Sequence, residues 1–333
     1  MNTNEKREPL RIGILAAARI APKAIVAPAL VLGHRLVGVA SRDRSRAEQF
    51  AIVNHVESAF DSYEDLIADP EINVIYNPLH NGAHAEWNLK ALAAGKHVLS
   101  EKPSASNATQ AREVARVAKS ANVVFMEAFH YAYHPVITRT LELVESGEIG
   151  KIVRVESIFN VSAPDREDPR WQFELAGGAL MDIGCYAVHV QRMISLTLTG
   201  SEPVIVKADA KLWSPNVDAG FNIELKYGSD IEAVARCDMD ASWQESLVIE
   251  GDLGRILVPA FVIPGRDDRV IVEVDGSSRT EHLGQLSSYT HQLIAFSNAI
   301  DFDAPILTGP EDAVATMELI DAAYLAAGLT PRP

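Results

Sequence analysis

Short apolar runs alternate with segments of helical periodicity over residues 10–130. The apolar runs predict five strands, at Leu10–Ala16, Leu36–Ala40, Val74–Asn77, His97–Ser100 and Val123–Met126. Between them, apolar residues recur every three or four positions, which predicts helices at Ala21–Val31, Arg44–Val53, Tyr63–Ala68, Ala83–Ala94 and Asn107–Ser120. Gly33 and Gly95 stand where two of these helices should end. The alternation favours a parallel sheet with crossover helices, the doubly wound arrangement that binds nucleotides.

After Pro135 the chain changes to segments in which apolar and polar residues alternate, which predicts a half-solvated sheet. Its strands are expected at Ile152–Val161, Val204–Trp213, Phe221–Tyr227, Ile231–Cys237, Ser246–Glu250, Arg255–Val258 and Val270–Val274. Its helices are expected at Val136–Ser146, Ala179–Leu196, Ser288–Ile300 and Pro310–Ala327. We therefore predict an α/β protein in which residues 1–130 bind a dinucleotide. Residues 131–333 then form a second α/β domain with a large, mainly antiparallel open sheet.

Composition and net charge argue against some classes of binding partner. The 333 residues include 30 Lys and Arg against 45 Asp and Glu, a formal net charge of −15. Such a surface repels phosphate backbones and anionic lipid headgroups, so we predict no nucleic-acid and no membrane partner. The two cysteines, Cys185 and Cys237, lack metal or redox spacing and suit a reducing compartment. Residues 1–9 are polar, with a Lys6-Arg7 pair but no signal core, and we expect a cytoplasmic protein.

The first predicted strand ends in the turn Ala16-Ala17-Ala18-Arg19-Ile20-Ala21. A dinucleotide-binding turn usually reads G-x-G-x-x-G, and alanine occupies all three glycine places here. Small side chains still let backbone N–H groups approach a pyrophosphate, but alanine is strained where the turn needs a positive φ. The alanines alone favour a structural junction. Arg19, at the mouth of the turn, favours a phosphate site.

The second predicted strand ends in Ala40-Ser41-Arg42-Asp43. An NAD-binding fold prefers an acidic residue near this point, where it binds the ribose 2′-OH. A hydroxyl and a guanidinium suit a 2′-phosphate instead, although an exposed arginine is also an ordinary surface residue. Asp43 is explained as the N-cap of the next helix. We therefore predict NADP(H) rather than NAD(H).

The fourth predicted strand leads into Glu101-Lys102-Pro103, at the edge of the sheet where ligands bind. A lysine there can hydrogen-bond a hydroxyl or carbonyl and move a proton, although most lysines serve only as surface charges. The Lys102–Pro103 bond is a candidate cis peptide.

Asp182 and Tyr186 are four residues apart in a predicted helix and should share one face. A carboxylate and a phenol together can position a hydroxyl and relay its proton. The structural alternatives are a carboxylate favoured by the helix dipole and a half-buried aromatic. His189, near the same face, is favoured as a core histidine.

Four histidines follow two of the predicted strands: His80, His84, His130 and His134. None forms a zinc-type set with an evident third ligand, and a continuous helix around Gly82 is doubtful. We predict no metal.

In order along nearly the whole chain, several segments resemble the glucose-fructose oxidoreductase / inositol dehydrogenase / rhizopine-catabolism (Gfo/Idh/MocA) family. These are Arg11–Ala21, Pro78–Trp87, the run from Ala94-Gly95-Lys96-His97-Val98 to Glu101-Lys102-Pro103, Glu127-Ala128-Phe129 and Gly177–Tyr186. The resemblance implies a Rossmann domain followed by an α/β domain. That domain would bind substrate, and its open sheet would form a homodimer or homotetramer. The resemblance also implies hydride transfer between a nicotinamide and a sugar- or polyol-like carbinol.

Carried over by position, the resemblance implies catalytic roles for Lys102 and for Asp182 of the Gly-Gly…Asp motif. Tyr186 falls where the dimeric dihydrodiol and xylose dehydrogenase branch has its tyrosine, which implies a proton donor or acceptor. His84 matches a histidine usually found near the cofactor. The cofactor-binding residues are expected to be Ala16, Ala18, Arg19, Ile20, Ser41, Arg42, Pro78, Leu79, His84 and Glu101.

Two departures from the family pattern bear on the substrate. Ala132 stands where arginine is common, and Trp171-Gln172 replaces a frequent Trp-Arg pair. Because both changes remove cations, we expect a neutral sugar, polyol or cyclic diol. The alternatives are a catalytically silent NADP-sensing regulator, a ketoreductase for nucleotide-linked sugars and an NAD-assisted glycoside hydrolase.

Overall fold

The computed structural model describes residues 8–333, and the chain starts with a six-stranded parallel sheet. The strands are β1 (Arg11–Leu15), β2 (Arg35–Ala40), β3 (Ser58–Phe60), β4 (Val74–Asn77), β5 (His97–Ser100) and β6 (Phe125–Glu127). Their spatial order is β3-β2-β1-β4-β5-β6. The order reverses between β1 and β4, and ligands of doubly wound sheets bind at such a point.

Five helices cross over between these strands. They are α1 (Ala27–Leu32), α2 (Arg44–Asn54), α3 (Tyr63–Ala68), α4 (Asn81–Ala93) and α5 (Ala108–Ala121), and a π-helical turn at Pro22–Val26 precedes α1. The Asp43 carboxylate accepts a hydrogen bond from the Ser45 N–H at 2.9 Å, which confirms Asp43 as the N-cap of α2. Gly33 ends α1 with φ +75°, a conformation that glycine adopts without strain.

The second sheet has eight strands and is antiparallel except at one pair. The strands are β7 (Ile152–Asn160), β8 (Val204–Ser214), β9 (Val217–Tyr227), β10 (Ile231–Asp238), β11 (Gln244–Gly251), β12 (Gly254–Val258), β13 (Arg269–Val274) and β14 (Ser277–His282). Their order is β14-β13-β12-β11-β7-β10-β9-β8, and only β7 and β10 pair in parallel. Helices α6 (Pro135–Ser146) and α7 (Cys185–Thr199) pack against this sheet.

The last two helices return to the first sheet. These are α8 (Ser288–Phe302) and α9 (Pro310–Ala326). Leu293 and Phe296 of α8 are buried in the same apolar core as Ile12 and Ile14 of β1. Helix α9 packs against α5. The carboxyl-terminal residues therefore help to hold the sheet that the amino-terminal residues form.

The predicted α/β architecture, a parallel sheet followed by a mainly antiparallel one, is confirmed. Strands β3 and β14 were not predicted, because β3 has three residues and β14 contains no apolar residue. Helix α4 begins at Asn81 and includes Gly82, so the doubt about a helix was wrong for Gly82 but right for His80, which is the extended N-cap residue. A Cβ at Gly82 would lie 3.0 Å from the Leu175 carbonyl carbon, so the helix needs glycine there to pack closely.

Residues 1–7, with the Lys6-Arg7 pair, lie outside the described part of the chain. Between residues 8 and 333, no helix combines the length and apolar character that a bilayer span requires.

Candidate active site

A cleft with a volume of ≈ 820 Å³ lies where the strands of the first sheet end. One wall is made by the turns after β1, β2 and β4, and the other by residues 168–182. Eight of the ten predicted cofactor-binding residues line it: Ala16, Ala18, Arg19, Ile20, Ser41, Arg42, Pro78 and Leu79. Residues from three separate turns thus meet in one cleft.

The other two predicted cofactor-binding residues, His84 and Glu101, lie beneath the cleft wall. The His84 ring nitrogens lie 2.7 Å from the Pro103 carbonyl oxygen and 2.8 Å from that of Leu79, and burial lowers the pKa of His84 to about 4. The buried Glu101 carboxyl accepts a hydrogen bond from the Tyr76 hydroxyl at 2.6 Å, and burial raises its pKa. Through these hydrogen bonds, both side chains stabilise the segments that border the cleft.

The turn after β1 has the geometry that a glycine would normally supply. Ala16 has φ +82°, and its N–H donates to the Ala40 carbonyl oxygen at 2.9 Å. The following residues carry small side chains up to Arg19, so backbone N–H groups can approach an anion. The turn therefore fits a pyrophosphate, with local strain at Ala16.

Replacing Ala16 by glycine is expected to raise the free energy of unfolding by about 0.5–1 kcal/mol, because glycine adopts positive φ without a Cβ clash. Urea denaturation measures the change. The matched variant is Ala18→Gly, in the same turn but without a positive φ. It should lower stability, since glycine there only adds freedom to the unfolded chain. Equal changes in the free energy of unfolding for both variants would contradict the proposed strain at Ala16.

Two arginines flank the cleft where β2 ends. Arg42 and Arg46 both line it, and the buried Ser41 lies beside them. Sequence reasoning missed Arg46, which lies in the first turn of α2. Arg44 between them instead pairs with Glu48 and Asp61. The donor set at this end, two guanidinium groups and a hydroxyl, fits a phosphate on the ribose.

Lys102, Asp182 and Tyr186, the three predicted catalytic residues, are brought together beside the cleft. The Lys102 Nζ donates to the Asp182 backbone carbonyl and lies 3.7 Å from the Asp182 Oδ1. It also lies 5.0 Å from the centre of the Tyr186 ring, which is buried. The Lys102–Pro103 peptide bond is cis. An ammonium, a carboxylate and a phenol are groups that can bind and protonate the oxygen atom of a substrate.

The surroundings keep both proton-carrying groups protonated at neutral pH. Burial lowers the pKa of Lys102, but the neighbouring Asp182 and Glu101 carboxyl groups oppose burial, and the pKa is raised. Burial raises the pKa of Tyr186 well above its usual value. The site therefore presents a cation beside a neutral phenol.

Arg170 is a cleft residue that sequence reasoning did not find. Its guanidinium donates to both carboxylate oxygens of Asp168, and its Nη1 lies 3.4 Å from the Asp182 Oδ2. Arg19 reaches the same Asp168 from the opposite wall at 3.1 Å. The expectation of a cation-poor substrate side overlooked Arg170, which lies on a short 3₁₀ turn without a recognisable pattern.

His189 has a structural environment, as expected. Its Nδ1 lies 2.6 Å from the Tyr131 hydroxyl and its Nε2 lies 2.9 Å from the Asp312 Oδ2, so both nitrogens are used in the core. Across residues 8–333, no group of three or more His, Cys, Asp or Glu side chains could hold a metal ion.

Comparison with known proteins assigns the chain to a family. A model of an oxidoreductase family with an NAD-binding Rossmann fold matches residues 10–129, and a GFO/IDH/MocA C-terminal domain matches residues 137–257. The D-xylose 1-dehydrogenase (NADP(+)) 2 of Haloferax volcanii is 33% identical over 318 residues, 95% of this chain and 96% of that protein. The chain belongs to the Gfo/Idh/MocA oxidoreductase family. The resemblance inferred from the motifs is therefore confirmed.

Two further similar proteins are a dehydrogenase and a ketoreductase by name. The trans-1,2-dihydrobenzene-1,2-diol dehydrogenase of Xenopus laevis is 34% identical over 253 residues, 75% of each chain. The crystal structure of KijD10, a 3-ketoreductase from Actinomadura kijaniata in complex with NADP and TDP-benzene, has a TM-score of 0.88 at 25% identity. It covers 96% of this chain and 98% of KijD10. The prediction of an oxidoreductase in the dihydrodiol and xylose dehydrogenase branch is confirmed.

Proposed function

We propose that the protein is an NADP(H)-dependent oxidoreductase that transfers a hydride between the nicotinamide and a carbinol or ketone of a sugar, polyol or cyclic diol. The observation that carries the proposal is the meeting of Lys102, Asp182 and Tyr186 beside the cleft. The retention of all three groups argues against a catalytically silent regulator. The named activities of the relatives, on xylose and on a cyclic diol, support the same class of substrate.

Each of the three groups has a separate task at the substrate oxygen. The neutral Tyr186 phenol gives its proton to the oxygen of a ketone, and in the opposite direction the phenolate accepts the proton of a carbinol. The Lys102 ammonium stabilises negative charge on that oxygen. Asp182 holds the ammonium in place and orients a neighbouring hydroxyl of the substrate. NADP(H), when bound, supplies or accepts the hydride.

The cofactor would lie along the cleft described above. The turn from Ala16 to Ile20 would hold its pyrophosphate, and Pro78 and Leu79 would border its nicotinamide half. Arg42 and Arg46 would bind the 2′-phosphate with charge-assisted hydrogen bonds, helped by Ser41. This donor set favours NADP(H) over NAD(H).

The test of this function is turnover with a substrate panel. We expect the purified protein to reduce NADP⁺ with at least one aldose, polyol or cyclic diol, and NAD⁺ with a KM at least about tenfold higher, because NAD⁺ lacks the phosphate. The panel includes a thymidine-diphosphate-linked sugar, since KijD10 is a 3-ketoreductase and Arg170 adds a cation to the substrate side. Turnover with that compound alone would favour the nucleotide-sugar alternative.

Matched arginine variants check the cofactor part of the proposal. Arg42→Ala should raise the Kd of NADPH about tenfold to a hundredfold, the cost of a lost charged hydrogen bond, with little effect on NADH. Arg44→Ala removes an exposed arginine paired away from the cleft and should leave both affinities unchanged. Equal losses for NADPH and NADH in Arg42→Ala, or no turnover with any carbinol, would overturn the proposal.

We also propose that residues 131–333 carry the substrate and subunit contacts, and that the eight-stranded sheet joins a homodimer or homotetramer. Exposed apolar side chains on its edge strand β8, those of Val204, Val206 and Leu212, support this. Light scattering in solution decides it, and a monomer would contradict it.

A further inference from the structure

His130, in the 3₁₀ turn after β6, contacts the hydroxyl group of Tyr186 although the proposed chemistry does not use it. Its Nε2 lies 3.3 Å from the Tyr186 Oη, and its Nδ1 lies 2.8 Å from the Ser288 Oγ. The imidazole is 1% exposed, so these are protected contacts. A hydroxyl thus lies at each end of one buried imidazole.

The ring of His130 is held by its neighbours. It packs against the Tyr289 ring with a centroid separation of 3.9 Å, and the Tyr186 ring lies at 5.8 Å with its edge towards it. On the face of the Tyr186 ring lies the Lys102 Nζ. Tyr186 is therefore contacted by a cation at its ring and by an imidazole at its hydroxyl.

The electrostatics require His130 to be neutral. Burial, together with the positive charges of Lys23 and Lys102, lowers the pKa of His130 well below its usual value. A neutral imidazole has one N–H donor and one acceptor nitrogen. Since the hydroxyls of Tyr186 and Ser288 can each donate or accept, both tautomers of His130 satisfy the same two contacts.

We propose that His130 is the positioning residue of Tyr186, which sets the direction of its hydroxyl group. The inference rests on the proposed role of Tyr186. With the hydrogen on Nε2, the imidazole donates to the Tyr186 Oη, and the Tyr186 hydrogen is free to point at a ketone oxygen. The same N–H then stabilises the oxygen when the proton has moved to the ketone.

The proton transfers balance in both directions. In reduction the Tyr186 O–H bond breaks and its proton moves to the ketone oxygen, which leaves a phenolate. The His130 Nε2–H donates to that phenolate, and the Lys102 ammonium lies over its ring. In oxidation the carbinol O–H bond breaks and its proton moves to the phenolate. His130 stays neutral throughout, and Tyr186 exchanges its proton with solvent water after the substrate has left.

The test compares two ring variants. His130→Phe keeps a flat ring against Tyr289 and removes both nitrogens. We expect kcat to fall about a hundredfold, the scale of a misplaced catalytic group, while the KM of the carbinol and the Kd of NADPH stay within about twofold. The matched control is His134→Phe, a buried histidine that accepts from the Val136 N–H and should keep wild-type kcat.

A double variant separates this inference from the proposed function. If His130 acts only through Tyr186, His130→Phe should cause no further loss in a Tyr186→Phe background. Full activity of Tyr186→Phe would overturn the proposed function itself. An inactive Tyr186→Phe beside a His130→Phe of wild-type kcat would overturn the role of His130 alone.

His130→Gln keeps the test decisive if the phenylalanine variant does not fold. Its amide can donate a hydrogen bond to the Tyr186 hydroxyl, so its kcat should stay within about tenfold of wild type, whereas His130→Leu, which cannot hydrogen-bond, should lose about a hundredfold. Ser288→Ala should lower kcat, because the Ser288 hydroxyl donates to Nδ1 and so keeps the hydrogen of the imidazole on Nε2. Equal kcat values in folded His130→Gln and His130→Leu would overturn the proposal.

Discussion

Replacing Lys102 by methionine is expected to lower kcat/KM for the carbinol by about 10³-fold, within the range for lost acid–base and charge stabilisation. Methionine nearly matches the length of lysine, so the side-chain volume is kept. What disappears is the ammonium between Asp182 and the Tyr186 ring. Steady-state kinetics measure the loss, and the Kd of NADPH should remain near the wild-type value because Lys102 lies outside the cleft lining.

Lys96→Met is the matched control for this variant. Lys96 is also partly buried, and its Nζ donates to the backbone carbonyls of Asp69 and Ile72, away from the cleft. Its loss should lower thermal stability and leave kcat unchanged. Similar kcat values in both variants would show that the Lys102 ammonium has no part in the reaction.

The sequence was sufficient to predict the position of Lys102 near the cleft, but not all of the side chains around it. Lys102 follows strand β5, and the carboxyl ends of parallel strands face the crevice where ligands bind. Arg170 lies on a 3₁₀ turn of three residues, where no periodicity marks its direction. His130 likewise reaches Tyr186 only through tertiary packing, because the two residues lie 56 positions apart in the sequence. Contacts between segments far apart in sequence depend on tertiary packing, which periodicity does not encode.

The same limit applies to the fold. The apolar spacing of Leu293 and Phe296 predicts a helix, and the helix is present. Its packing against β1 follows from the return of the chain to the first sheet, which no local pattern reveals. Local backbone strain, in contrast, could be predicted from the sequence. Alanine occupies a glycine place of the turn at position 16, and the structure shows a positive φ there.

The largest loss of stability is expected from Arg332→Met. The Arg332 guanidinium pairs with the Asp218 carboxylate, and both side chains are fully buried. Asp218 also accepts hydrogen bonds from the Leu180 N–H at 2.6 Å and the Tyr324 hydroxyl at 3.1 Å. Burial raises the pKa of Asp218, and Arg332 opposes that shift. Removing the arginine leaves an uncompensated carboxylate, which costs about 3–5 kcal/mol in urea denaturation.

The loss should extend to the cleft, because the Arg332 Nε also donates to the carbonyl oxygen of Gly177, which lines it. Arg112→Met is the control, since Arg112 pairs with Glu318 on the surface and should cost less than about 1 kcal/mol. Adding Asp218→Asn to Arg332→Met removes the unpaired charge and should recover part of the stability. Equal losses of stability in Arg112→Met and Arg332→Met would contradict the prediction. They would show that the buried Arg332–Asp218 pair does not hold the carboxyl-terminal residues against the Gly177 segment. The recovery in the double variant would then be absent as well, because no buried charge would have been left to neutralise.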